Sequence, residues 1–255
     1  MLLSGALPAF PVEHNLSYQS RLVEKRLRPG LRVLEIGCSA GYFSQRMYDR
    51  GVEVFGIDLN TALVGHAARS VPAARFCGAE ANRLPFAARS FDAVVMLEVI
   101  EHVGDERPVF AEIQRVLKPS GQLYLSTPHA GLFAFLDPFN VKMFFTRKIP
   151  GLVDLISRVQ RYRSPQLTSN MEVHQHYSLD RLTRLMGGGL KVRFIHRGGL
   201  LLFPVFSGVY SVLSRLLPVP ALRRACYRIM FWDSVIPYGS LAYNLVLVAE
   251  RQENP

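Results

Sequence analysis

A chain of 255 residues with 49% hydrophobic and 20% charged residues, 19 Gly and 16 Pro is neither disordered nor collagen-like, and it is long enough to bury a sizeable core. Its three cysteines, Cys38, Cys77 and Cys226, are odd in number and lack metal-ligand spacing, which excludes a disulfide framework and a CxxC zinc site and points to a reducing, cytoplasmic compartment. The net charge of +10 is uneven: residues 129–232 hold 15 Lys and Arg against 4 Asp and Glu, while residues 1–128 hold 14 against 13, so either an anionic partner meets the later segment or its arginines are simply solvated.

In chain order, the opening MLLSGALPAFPVEH is apolar without a basic stretch before it, so no secretory signal is expected. Short apolar runs at 31–36, 52–57, 73–77, 91–97 and 122–127 read as strands. Helical spacing at 42–50, 61–70 and 106–117 alternates with them, and Lys118-Pro119-Ser120-Gly121 closes the last helix. That alternation predicts a parallel sheet wrapped by helices, with the carboxyl ends of the strands on one edge, where such sheets bind ligands. After Pro128 the rhythm changes. A helical piece is expected at 152–161, an N-cap at Ser178 opens a helix that Gly187-Gly188-Gly189 ends, and strands follow at 190–196 and 241–250. With no internal repeat and no low-complexity linker, the expected organisation is one domain over residues 1–255. Its ligand-binding core spans residues 31–127, and insertions at 129–177 and 198–239 form a cap.

The most specific feature is Val33-Leu34-Glu35-Ile36-Gly37-Cys38-Ser39-Ala40-Gly41-Tyr42. A buried strand ends in an acid and turns into a helix through glycines. The dinucleotide fingerprint GxGxxG would need glycines at 39 and 42, where Ser39 and Tyr42 stand. An acid behind that helix start repels a pyrophosphate and welcomes an amino group. Val54-Phe55-Gly56-Ile57-Asp58 then ends in an acid 23 residues after Glu35, placed to accept hydrogen bonds from ribose hydroxyls. Further on come Gly78-Ala79-Glu80-Ala81-Asn82-Arg83-Leu84-Pro85-Phe86, the strand and post-strand run from Phe91 to Val103, and Leu117-Lys118-Pro119-Ser120-Gly121.

Five such segments in this order resemble the class I S-adenosylmethionine-dependent methyltransferases of the small-molecule type. The resemblance implies a Rossmann-like α/β fold, a seven-stranded sheet in the order 3-2-1-4-5-7-6 with the last strand antiparallel. It also implies S-adenosyl-L-methionine as cofactor, held by Glu35, Gly37, Cys38, Ser39, Gly41, Asp58, Leu59, Glu80, Ala81 and Leu97. Two positions depart from the family pattern: Ser39 replaces a glycine, and Glu80 replaces the aspartate that receives the adenine amino group. Glu98, Glu101 and His102 match a pattern to which some quinone-precursor O-methyltransferases add a divalent metal. Many relatives share those letters without one, and no metal is assigned.

The sulfonium is already activated, so alignment does most of the work, and a base is needed only for an acceptor hydroxyl of high pKa. His129, two residues beyond the fifth strand, is the expected catalytic base, with His174, His176 and Tyr177 as alternatives. Residues 198–214 are 17 residues without a charge, interrupted by Pro204 and Gly208, and Arg215, Arg223, Arg224 and Arg228 follow among Leu, Tyr, Phe and Trp. A membrane span between two strands of one sheet is implausible. A helix lying on anionic lipid, or a helix completing the core, fits better. No RNA-binding module is found, so nucleic acid is not the expected partner. The reading is O-methylation of a hydrophobic or lipid-linked small molecule at an anionic membrane. The alternatives are methylation of a soluble metabolite or natural product, and a catalytically silent cofactor-binding scaffold. The acceptor's identity and the oligomeric state are not written in the sequence.

Overall fold

A computed structural model describes residues 18–132, 134, 175–200, 202 and 220–253. The helix expected at 152–161, His174, and most of the uncharged run at 198–214 lie outside the described residues. In chain order the elements are α1 (Tyr18–Glu24), β1 (Arg32–Ile36), α2 (Tyr42–Asp49), β2 (Glu53–Asp58), α3 (Thr61–Ser70), β3 (Arg75–Gly78) and β4 (Phe91–Leu97). There follow α4 (Glu106–Val116), β5 (Leu117–Pro128), α5 (Leu179–Met186), β6 (Leu190–Gly198), α6 (Pro220–Val235) and β7 (Asn244–Arg251).

The strands form one seven-stranded sheet in the order β3-β2-β1-β4-β5-β7-β6. Strands β1 to β5 pair parallel, and β7 runs antiparallel to both β5 and β6, as the resemblance implies. Because side chains alternate across a strand, β1 sends Leu34 and Ile36 to one face and Val33 to the other. The first face packs with Ile57, Met96, Leu125 and Leu247 against Phe110 and Ile113 of α4 and Leu182 of α5. The second packs with Val54, Val95 and Tyr124 against Val23 of α1 and Met47 of α2. Both faces are therefore covered, which is why the parallel strands read as continuous apolar runs rather than alternating ones.

Local chemistry sets the helix starts. Asn60 Oδ1 accepts the amides of Ala62 and Leu63 at 3.1 and 3.2 Å, and Ser178 Oγ accepts that of Arg181 at 3.2 Å. The latter is the expected N-cap, and Gly187 with φ 61° ends the helix. Two boundaries differ from the expected ones. Pairing of Phe91 with Leu117 starts β5 five residues early, with an irregularity before Ala93 pairs Gln122, so Lys118-Pro119-Ser120-Gly121 is a bulge in a strand and not only a helix stop. At the other end, a 3₁₀ turn over Gly239–Leu241 delays β7 to Asn244.

Candidate functional site

The carboxyl ends of β1, β2, β4 and β5 bring the expected residues to one edge. Glu35, the penultimate residue of β1, is 7% exposed and accepts a hydrogen bond from Ser44 Oγ of α2. Burial, offset in part by that bond and reinforced by the charge of Asp58, pushes its carboxyl up to about 8. Among the described residues no cation contributes to this environment. A carboxyl whose proton is held chiefly by burial suits a ligand that brings an ammonium.

The turn after β1 is made of left-handed residues: Gly37 (φ 79°), Ser39 (φ 48°) and Gly41 (φ 83°). A Cβ on Gly37 would overlap Val99 Cγ2, and one on Gly41 would come within 2.9 Å of Ala67 Cβ. The amides of Gly37 and Cys38 donate to Ile57 O at 2.8 and 2.9 Å, tying this turn to the end of β2. There Asp58 accepts from Ser39 N at 2.9 Å on one oxygen and from Asn60 N at 2.8 Å on the other. Two backbone amides thus fix the carboxylate while each oxygen keeps a further lone pair for a ligand hydroxyl. Ser39, where the family has glycine, still reaches the left-handed conformation and uses its amide for this purpose.

Leu59, next to Asp58, is 66% exposed, an apolar side chain left in water beside the ribose-type carboxylate. Glu80 is exposed just past β3, and Ala81 is half-buried against the core. Leu97 ends β4, half-buried beside the second core face. Cys38 differs from the rest: its side chain is 3% exposed and burial raises its thiol far above the ordinary range, so only its backbone faces outward chemistry.

Beyond β4, Glu98 adopts φ 55° and is clasped to β5, its amide donating to Ser126 O at 3.0 Å and its Oε1 accepting from Ser126 Oγ at 2.6 Å. Glu101, 1% exposed, accepts from Thr127 Oγ1 at 3.1 Å. Burial first, and then the Glu98 charge, push its carboxyl well above the usual range. The two acids face hydroxyls of β5, and among the described residues no group of three or more His, Cys, Asp or Glu is arranged to hold a metal ion.

His129 follows β5 and is 4% exposed. Its amide donates to Tyr243 O at 2.6 Å and its Nδ1 lies 3.0 Å from Ala242 O. A carbonyl only accepts, so the neutral ring carries its proton on Nδ1 and its lone pair on Nε2. Burial, with Arg197 and His176 nearby, lowers its pKa despite the bond to Ala242. Of the alternatives, Tyr177 is fully buried, its one hydroxyl proton shared between Glu106 Oε1 at 2.9 Å and Ile100 O at 3.1 Å, with Arg181 4.6 Å above its ring. Burial and Glu106 raise its phenol out of reach of base chemistry, so Tyr177 is a packing pillar. His176 stacks edgewise on Tyr243 at 6.2 Å.

Sequence reasoning missed Ser44, Val99, Ser126 and Thr127. Each meets its partner only through tertiary packing, and no spacing along the chain signals it.

A sheet in this order, with an acid next to the end of β1, a left-handed turn after it and an acid closing β2, has the class I methyltransferase fold. Residues 34–125 match the family described as methyltransferase domain. The demethylmenaquinone methyltransferase of Beutenbergia cavernae is 36% identical over 122 residues, 47% of this chain and 51% of that protein. The ubiquinone biosynthesis O-methyltransferase of Hahella chejuensis is 37% identical over 122 residues, 44% of this chain and 51% of that protein. The chain thus spans about half the length of the curated relatives it matches. A TehB-like methyltransferase from Corynebacterium glutamicum shares the fold, with a TM-score of 0.56 over 92% of this chain and 88% of that one at 14% identity. Residues 34–125 are thus similar to S-adenosylmethionine-dependent methyltransferase domains, and the sheet has the class I methyltransferase fold. The cofactor this similarity implies fits the residues present, because among the described residues no cation pairs with the buried Glu35 and the Asp58 carboxylate has unused acceptor capacity.

Proposed function

We propose that the protein methylates an oxygen atom of a hydrophobic or lipid-linked small molecule, with S-adenosyl-L-methionine as donor. The observation that carries the oxygen acceptor is His129, whose bond to Ala242 O leaves Nε2 as the basic nitrogen just beyond a rigid strand. When bound, the cofactor supplies a methyl group made electrophilic by its sulfonium. Glu35 pairs with the amino group, the turn from Gly37 through Cys38 and Ser39 to Gly41 admits the methionine portion, and Asp58 receives the ribose hydroxyls. Leu59, Glu80 and Ala81 border the adenine, and Leu97 walls the pocket. His129 Nε2 would accept the acceptor's hydroxyl proton, so that its oxygen could take the methyl group while the sulfur leaves as a neutral thioether.

In this reading the chain is one domain, and residues 129–177 and 198–239 cap the acceptor side of the 31–127 core. A hydrophobic acceptor is supported by α6, whose exposed face carries Arg224, Arg228 and Trp232 at helical spacing, with Trp232 66% exposed and Ile236 47% exposed just beyond. Basic residues beside an exposed tryptophan suit the surface of an anionic membrane. No described helix is long and apolar enough to cross one. The relatives from B. cavernae and H. chejuensis are named for demethylmenaquinone and for ubiquinone biosynthesis, which supports a hydrophobic acceptor, and the second is named an O-methyltransferase.

The test is transfer of a radiolabelled methyl group into the lipid, aqueous and RNA fractions of a cell extract. Label in the lipid fraction is expected, at an alkali-stable O-methyl group. Label only in the aqueous or RNA fraction overturns the hydrophobic acceptor, and none in any fraction, with cofactor bound, leaves a silent scaffold.

A further inference from the structure

The cofactor site occupies the carboxyl edge of the sheet. Toward the opposite edge lies a cavity of about 740 Å³ bordered by Leu31 just before β1, the first residues of β4, the first half of β5, and the middle of β6 and β7. Its lining shares no residue with the candidate cofactor site. The cavity's floor is sheet, with Tyr124 and Val248 buried there. Its rim is basic: Lys25, Arg26 and Arg28 from the segment after α1, Lys118 from the β5 bulge, and Arg193 from β6.

The charges are not balanced within the cavity. Lys118 is paired with Asp92 at 2.7 Å, and Arg193 with Glu250 at 2.9 Å. Asp92 also accepts the Arg32 amide at 2.9 Å, so the one carboxylate of the lining is already engaged. Among the described residues no carboxylate pairs with Lys25, Arg26 or Arg28. Arg26 is nevertheless held in place, donating to Leu22 O at 3.1 Å with its guanidinium 4.3 Å over the Phe194 ring. Those contacts orient the cation without neutralising it. At the lip, Ser120 holds a left-handed conformation (φ 59°), where a glycine would be relaxed. Its hydroxyl belongs to a residue of the cavity lining and is of a type that can donate to an anion.

We propose that this amino-edge cavity binds a phosphate-bearing anion, with Arg26, Arg28 and Lys25 as its principal contacts. Two guanidinium forks and an ammonium converging from one short segment match the several oxygens of a phosphate or diphosphate better than a single carboxylate. The ligand is either a soluble phosphate compound or a phospholipid headgroup. The proposal does not rest on the methyltransferase reading, since no residue of the cavity belongs to the cofactor site.

The test is calorimetric titration of the full chain with sodium pyrophosphate at fixed ionic strength. Saturable binding at one site per chain is expected, weakened about tenfold in K25Q/R28Q and unchanged in R69Q/R107Q, which removes the same charge from elsewhere. Cofactor binding should be the same in all three proteins, showing that the fold is intact. Absence of saturable binding, or equal weakening in both variants, overturns the site. Flotation with phosphatidic acid vesicles identifies the source. Loss of flotation in K25Q/R28Q assigns a lipid headgroup, and unchanged flotation with lost pyrophosphate binding assigns a soluble ligand.

Discussion

At the scale of single residues, hydrogen-bond direction decides the roles of the basic and acidic groups. His129 is committed through Nδ1 to Ala242 O, so removing its ring removes the only nitrogen lone pair that β5 positions. His129→Ala is expected to lower turnover by roughly 10²–10⁴-fold while leaving cofactor affinity unchanged, measured by steady-state kinetics beside calorimetry. Near-native turnover would make His129 a structural residue and pass the role to His176 or His174. Glu35 is the other residue whose state follows from its surroundings. Folded, its carboxyl sits at about 8 against an ordinary 4.5, so between those values the folded chain keeps a proton that the unfolded chain has given up. Stability of the free protein therefore falls as pH rises through that window. Binding an ammonium there favours the ionised carboxyl, so cofactor affinity rises with pH up to about 8.

At the scale of elements, the β1–α2 turn is where backbone and packing constraints coincide. Gly37 needs φ 79°, and a methyl group there would overlap Val99. Gly37→Ala is expected to destabilise by about 2–4 kcal/mol in urea unfolding, from left-handed strain and overpacking together. Adding Val99→Ala should restore only the packing part, and full restoration would show that the backbone conformation costs nothing. Elements like this one were legible in sequence because their turn residues and apolar runs are local signals. Helix α1 was not: its seven residues are too few for periodicity, and it is held by tertiary contacts, with Glu24 paired to Arg46 and, at 2.8 Å, to Arg50 of the α2 end. The start of β5 was misplaced for a similar reason, since Pro119 and Gly121 signal a turn that the pairing of Phe91 with Leu117 absorbs as a bulge. Asp58 and Gly37 could be read from their positions after strands. The Ser44 bond to Glu35 could not, because the eight intervening residues carry no pattern that joins them.

At the scale of the whole molecule, one sheet separates two edges with different chemistry, and α6 is fixed beside the carboxyl edge. Asp233 of α6 accepts the Leu200 amide at 2.9 Å and the Tyr238 hydroxyl at 3.0 Å, which sets the helix so that Arg224, Arg228 and Trp232 face outward. Co-flotation with anionic vesicles at low salt is therefore expected, reduced in W232A and in R224Q/R228Q, and weakened by salt in keeping with surface electrostatics. Flotation unchanged in both variants would remove α6 from the membrane reading. The cofactor cradle itself is tested most directly by calorimetry with S-adenosyl-L-methionine at pH 7, in buffers of different ionisation enthalpy. Saturable binding with release of close to one proton is expected from the wild-type chain. That proton release should vanish in E35Q, and affinity should fall in both E35Q and D58A. Binding without proton release, or tight binding retained by both variants, would contradict the assignment of Glu35 and Asp58 to the cofactor.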